Sequence, residues 1–331
     1  MQKLEKTDIQ LGYIPLLDCV ALLWAEHKGY FAEQGLNVKL TQEPSWASLR
    51  DRLAFGFLDA AHCLSAMLPA SVTGKDHLGI PLQTSLTLST NCAYISLSQK
   101  LCYELNIHAL DLPKNSAEKI VSAVKQNQTI QLAHVFQHSI HHYILREWLA
   151  LADTEIAQTQ TFSTLPPPYM VEAISTQRID GFCVGEPWNT QAEIQGYSRI
   201  IVNSQDIIDH IPDKVLAFTH DWAEKHPNTL NAIHLAIQKA QNDLLQQTHF
   251  FEIFSLLKQY HIIRFDCSEQ IHVEAFHRIK NIIQNFGKTQ APQTSDFEWM
   301  IQKMQQYDQL NIEDEKVIEI AQSCIYQDAL G

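Results

Sequence analysis

The side chains of this sequence best suited to chemistry are an isolated tryptophan, a knot of histidines and a single carboxylate beside a proline. Trp46 follows Ser45, a residue type that caps helices, so its indole N–H could donate to an oxygen of a small ligand while the ring walls the site. The competing reading is a core or interface aromatic. His134, His138, His141 and His142 lie close in sequence, and His138 with His142 has the i, i+4 spacing that can grip a metal. Solvated or capping histidines fit that spacing equally, and the H-E-x-x-H pattern of zinc hydrolases does not occur. Glu186 follows a short apolar run, where a carboxylate would repel an anion unless it orients a donor or takes a proton. As a lone carboxylate it makes no acid/base pair, and its plainer role is to hold a histidine or a backbone turn. Leu16 and Ser65 sit just beyond predicted strands and could present a backbone N–H and a hydroxyl, or simply begin helices.

These residues need elements that deliver them to one place. Short aliphatic or β-branched runs, each followed by a pattern of helical period, predict strands at Ile9 to Ile14, Asn37 to Thr41, Ala60 to Cys63, Gln131 to Val135, Gln160 to Ser163 and Gly181 to Val184. Ser45, Ser65, Ser139, Pro187 and the Pro166-Pro167-Pro168 run mark helix starts. The β-prone stretch from Leu82 to Ser98 suits one long strand crossing between lobes, with Arg199 to Asn203 as its return. From His220 onward the pattern is helical: Asn228 to Gln246, Phe250 to Tyr260, Glu269 to Asn285, Asp296 to Gln309 and Glu313 to Ala329. Sheets of this kind send the carboxyl ends of their strands, and the helix N-termini that follow, to one edge, where several N–H groups favour a small anion.

At 331 residues the chain suits two lobes of ordinary size. With 24 basic against 37 acidic residues its formal charge is −13, which disfavours direct binding to nucleic acid or to anionic lipid. No apolar stretch near the N-terminus predicts a signal or a membrane span. The seven cysteines include no C-x-x-C pair and read as reduced thiols. Both observations point to the cytoplasm.

Longer runs carry a family resemblance. Leu11-Gly12-Tyr13-Ile14-Pro15-Leu16-Leu17-Asp18 and Ala25 to Leu36 resemble the opening of periplasmic type II binding proteins. Ser45 to Asp51, Asp59 to Met67, Arg146 to Ala150, Pro166 to Val171 and Asp180 to Asn189 resemble the nitrate/bicarbonate-binding subfamily, and together the likeness spans roughly residues 8 to 235. It implies an α/β two-lobed clamshell with a helical C-terminal extension, residues 1–90 plus 204–331 forming one lobe and 91–203 the other. It implies no enzyme activity and no cofactor. It also implies a ligand site at Trp46, at His141, counted back from Arg146-Glu147-Trp148-Leu149, and at Val184, Gly185, Glu186 and Pro187. Lacking an export signal, the chain resembles the cytosolic branch that senses nitrate or nitrite and, when empty, sequesters an RNA-binding antiterminator of the ANTAR type. An acidic surface is compatible with such a basic partner. A solute-binding component of a transporter is the alternative.

Two departures from the exported nitrate binders stand out. Where they carry a Gln after the hinge-like Thr-Asn, this chain reads Thr90-Asn91-Cys92; where they carry a Lys shortly before the proline of Pro212-Asp213-Lys214, the matching place is nearer His210. Fungal thiamine-pyrimidine synthases resemble the same fold, but their cysteine-rich motif is missing, as are G-x-x-x-x-G-K-[ST], G-x-G-x-x-G and G-x-S-x-G. Bicarbonate binders of the family use calcium, and no acidic loop here offers its oxygen ligands.

Overall fold

A computed structural model describes residues 3–288 and 291–327. The chain divides into two compact units. The first takes the N-terminal stretch to Thr90, Pro212–Ile263 and the chain from Lys280 onward; the second takes Asn91–Ile211 and Arg264–Ile279.

Among the described residues, ten strands supply two mixed sheets of five: β1 (Asp8–Tyr13), β2 (Asn37–Gln42), β3 (Ala60–Leu64), β4 (Leu82–Thr90), β5 (Ala93–Ser98), β6 (Leu132–His134), β7 (Phe162–Thr164), β8 (Gly181–Gly185), β9 (Ser198–Asn203) and β10 (Pro212–Thr219). In the first unit the order is β2-β1-β3-β10-β4, with β1 parallel to β2 and β3, and β10 antiparallel to both of its neighbours. The second unit repeats the plan as β7-β6-β8-β5-β9, with β5 as the antiparallel strand. In each sheet the strand with which the chain enters or re-enters the unit takes the fourth place. The inner strands are buried on both faces, as in sheets covered by helices: all of Ala60–Leu64 and Gly181–Gly185 is buried.

The stretch Leu82 to Ser98, expected as one strand, is two. Asn91 takes a left-handed conformation (φ 48°) that ends β4, and its side chain accepts from Ile211 N at 2.8 Å and donates to Ile208 O at 2.6 Å. That pair of bonds ties 204–211 to the second unit, whereas the sequence reading gave them to the first. Residues 264–279 also pack with the second unit: Arg278, on the helix Val273–Asn285, donates to Thr190 Oγ1 at 3.0 Å and pairs with Glu193 at 2.9 Å. The C-terminal helices otherwise lie near their expected places, at Pro227–Gln246, Phe251–Gln259, Thr294–Tyr307 and Asp314–Ser323. The last of these, expected to run to Ala329, ends at Ser323, and Ala329 itself lies outside the described residues. No helix among the described residues is long and apolar enough to cross a membrane.

Candidate functional site

In the first unit three parallel strands end at one edge, and each is followed by a candidate residue. Leu16 comes after β1, Trp46 after β2 and Ser65 after β3. Leu16 spends its N–H on Ile14 O at 2.8 Å. Ser65 does not cap the helix Met67–Val72; its hydroxyl donates to Pro212 O at 2.7 Å and its N–H to Asp213 O at 3.1 Å, so it fastens the start of β10. Both donors are engaged inside the protein.

Trp46 is different. It opens the helix Trp46–Ala54, whose cap is Ser45: the Ser45 hydroxyl accepts from Ser48 N at 3.2 Å. Ser48 in turn donates to the buried Glu43 at 2.7 Å, and Arg52 pairs with the other Glu43 oxygen at 2.8 Å, so the first turn is pinned. The Trp46 side chain is 1% exposed, yet its indole N–H meets no acceptor among the described residues. The indoles of Trp24, Trp148 and Trp222 each find one, in Asp243, in Pro113 O with Ser116, and in Asp59. A buried donor left without an acceptor costs about 1–3 kcal/mol.

Beside it lies a charge cluster that the sequence did not announce. Lys214 on β10 is fully buried and pairs with Asp18 at 3.1 Å and Asp213 at 2.7 Å, and its Nζ stands 5.8 Å from the Trp46 ring centroid. The other Asp18 oxygen takes His62 Nε2 at 2.8 Å, and Ser89 donates to Asp18 Oδ2 at 3.2 Å. The register explains the gathering. Leu216 on β10 pairs with His62 and Lys214 with Leu64 on β3, so His62 and Lys214 share one sheet face. Ser89 pairs with Lys214 from the other side. Burial pushes the Asp18 carboxyl up, but Lys214 and then His62 outweigh it and hold the group well below the usual carboxylate range. Burial likewise lowers the Lys214 ammonium, and the two carboxylates more than restore it.

A carboxyl whose folded pKa is depressed contributes stability that is fully present above its unfolded value and is lost as pH falls through the folded one. Urea midpoints measured from pH 6 down to pH 2 should therefore run parallel for the wild type and Asp18→Asn above about pH 5 and fall more steeply for the wild type below about pH 4.

In the second unit the carboxyl ends of β6, β7 and β8 again share an edge. The helix Ile140–Ala150 follows β6 and is capped by Ser139, whose hydroxyl accepts from His142 N at 3.2 Å. His138 precedes that cap, so it shares no helix face with His142, which corrects the spacing argument. His142 Nδ1 instead meets His134 Nδ1 at 3.2 Å, His134 Nε2 meets Thr164 Oγ1 at 2.9 Å, and Arg146 Nε donates to His142 Nε2 at 3.4 Å. These two histidines brace the turn, and among the described residues no group of three or more His, Cys, Asp or Glu side chains could hold a metal ion. His141 is fully buried in the first turn of the same helix.

β8 ends on Val184 and Gly185, and Glu186 and Pro187 follow, with a cis bond between the last two. Val184 O accepts from Asn189 at 2.8 Å, and Asn189 accepts from Ser96 at 2.7 Å. Glu186 turns inward: its carboxylate accepts from Thr190 N at 3.0 Å and Thr190 Oγ1 at 2.8 Å, with Arg278 at 3.9 Å. It holds the start of the helix Trp188–Ile194. Burial raises its pKa, and Arg278 and Thr190 offset this only in part. A raised carboxyl contributes stability below its unfolded value that is lost as pH rises through the folded one, so at neutral pH the charge is a burden. Glu186→Gln should thus be as stable as the wild type or up to about 2 kcal/mol more stable at pH 7, with the gain vanishing by about pH 4 in chemical denaturation.

The sequence reading names Trp46 and the Val184–Pro187 turn as candidates and does not name the buried cluster of Asp18, His62 and Lys214. The alternation Lys214, Leu216, Phe218 against Val215, Ala217 was the available strand signal.

Comparison with known proteins accords with this architecture. The NMT1-like family model matches residues 2–257. The nitrate/nitrite-binding protein NrtA of Nostoc sp. is 35% identical over 246 residues, covering 72% of this chain and 54% of its own length. The bicarbonate transport ATP-binding protein CmpC of Synechocystis sp. is 35% identical over 257 residues, covering 77% of this chain and 38% of its own length. The chain therefore spans only about a third to a half of these curated relatives. Among solved structures, the periplasmic nitrate-binding protein NrtA of Synechocystis aligns with a TM-score of 0.81 at 22% identity, covering 99% of this chain and 88% of that one. The alkanesulfonate-binding protein SsuA of Xanthomonas axonopodis bound to MOPS aligns at 0.72 and 14% identity, covering 98% and 99%. With its two α/β units built on the fold of periplasmic binding proteins, the chain belongs to the NMT1-like family.

Proposed function

We propose that this protein is a non-catalytic receptor for a small oxyanion, nitrate or nitrite, and that it acts in the cytoplasm as a sensor controlling an RNA-binding antiterminator of the ANTAR type. The observation that carries the reading is the buried indole N–H of Trp46, without an acceptor among the described residues, at the carboxyl edge of the first sheet. Its support from likeness is that a relative at 35% identity is named as a nitrate/nitrite-binding protein. The proposed ligand residues are Trp46, Leu16 and Ser65 in the first unit, the last two as backbone supports, and His141, Val184, Gly185, Glu186 and Pro187 in the second. The formal charge of −13 favours a basic RNA-binding partner over nucleic acid itself. A second reading, the solute-binding part of an importer, draws on relatives that are named as transport and import proteins.

Calorimetric titration with nitrate, nitrite and bicarbonate in chloride-free buffer tests the ligand. Micromolar binding of nitrate or nitrite is expected, weakened about tenfold or more in His141→Ala with the unfolding transition retained. Silence toward all three anions would remove the reading. Co-purification with an ANTAR-domain protein, lost on adding nitrate, tests the sensor. An anion-independent result there, with capture by a permease instead, would favour the importer.

A further inference from the structure

His62 is the buried titratable group beside Trp46 that the proposed ligand set does not use. Its Nε2 lies 2.8 Å from Asp18 Oδ1, and a carboxylate only accepts, so the ring hydrogen belongs on Nε2. In a neutral ring Nδ1 is then a bare lone pair. That nitrogen is fully buried and meets no hydrogen-bond partner among the described residues. The Trp46 and His62 rings stand 5.7 Å apart at 42°, so the orphan donor and the orphan acceptor belong to neighbouring rings of the first unit.

An oxyanion without a hydrogen of its own can accept from the indole but meets repulsion from a lone pair. Lys214 offers it little net charge, because Asp18 and Asp213 already face that ammonium at 3.1 and 2.7 Å. The other groups around the ring do not supply a donor either. Ser89 is spent on Asp18, Leu216 across on β10 has no polar side chain, and the Cys63 thiol donates to Met67 Sδ at 3.5 Å. The group able to change is the imidazole.

We propose that His62 is a further ligand contact and that a proton enters with the anion: one proton from solvent binds Nδ1, and the new N–H donates to an anion oxygen while Nε2–H stays on Asp18. Binding of nitrate is thereby linked to proton uptake, and affinity falls as pH rises. This rests on the receptor reading above and names how that site compensates its ligand's charge. A hydroxylated anion such as bicarbonate brings its own hydrogen to Nδ1 and needs no such uptake.

The test is titration of the full chain with nitrate at pH 8 in two chloride-free buffers of widely different protonation enthalpy, neither a sulfonate nor a phosphate. Because the proposed contact needs one new hydrogen on Nδ1, about one proton per nitrate is expected, with Kd rising toward tenfold from pH 8 to pH 9. In His62→Gln the uptake disappears and the pH profile flattens; in His141→Asn affinity drops but the uptake remains. Nitrate bound with no uptake and a flat profile overturns the inference and leaves the receptor reading standing. Uptake that survives in His62→Gln, or vanishes in His141→Asn, assigns the proton elsewhere and overturns it too. Absence of any nitrate binding overturns both. Should His62→Gln fail to fold, the wild-type buffer pair and His141→Asn still decide.

Discussion

Lys214→Met should cost the first unit about 3–5 kcal/mol, the largest loss expected of any single substitution in the cluster. The ammonium is fully buried between Asp18 and Asp213, and a methionine of similar reach leaves both carboxylates without it in a place where water cannot replace it. The effect is a lowered urea midpoint with an unchanged slope, because the surface exposed on unfolding is the same. Adding Asp18→Asn to Lys214→Met should recover part of the loss, since one stranded charge is removed, and the non-additivity of the pair measures their coupling. Equal losses in the single and double variants would mean that Asp18 is not the partner that matters.

Trp46→Phe should separate binding from stability. The ring stays and only the indole N–H and part of the ring volume go. A hydrogen bond to a charged group contributes about 1.5–3 kcal/mol, so nitrate affinity should fall by about 10- to 150-fold. The ligand-free protein gives up a donor that had no acceptor, and this gain offsets the lost volume to within about 1 kcal/mol. The same substitution at Trp24, whose N–H rests on Asp243 at 2.8 Å, should behave in the opposite way, destabilising the fold and sparing affinity. A Trp46→Phe protein that binds nitrate with wild-type affinity would remove the indole from the site.

The strands were legible where local rules agree with the fold. β1 and β2 alternate polar with apolar residues, β3 and β8 are short, mainly apolar runs, each is followed by a helix, and the observed ends fall within a residue of the expected ones. Ser45 and Ser139 cap the helices they were read to cap, because the side chain and the N–H it satisfies are three residues apart. β10 was not legible. It opens on Pro212-Asp213-Lys214, which reads as a turn, and its buried charges make sense only against partners on distant segments. Asp18, His62 and Lys214 have no common pattern in the sequence; the pairing of β10 with β3 brings two of them together and the turn after β1 lowers the third onto them. The division of the C-terminal region failed for a similar reason. Nothing local says that Arg278 will answer Glu193 and Thr190 across more than eighty residues.

The place of β10 also bears on how the chain is made. A ribosome releases β3 and β4 well before β10, yet in the finished sheet these two strands meet only through it. Until residue 219 has emerged, β4 has no sheet partner, and Asp18 and His62 stand beside a gap where an ammonium should be. The second sheet, by contrast, is complete once Asn203 is out. The nascent polypeptide therefore finishes its middle before its beginning, and for that interval the N-terminal strands carry bare edges of the kind chaperones shield.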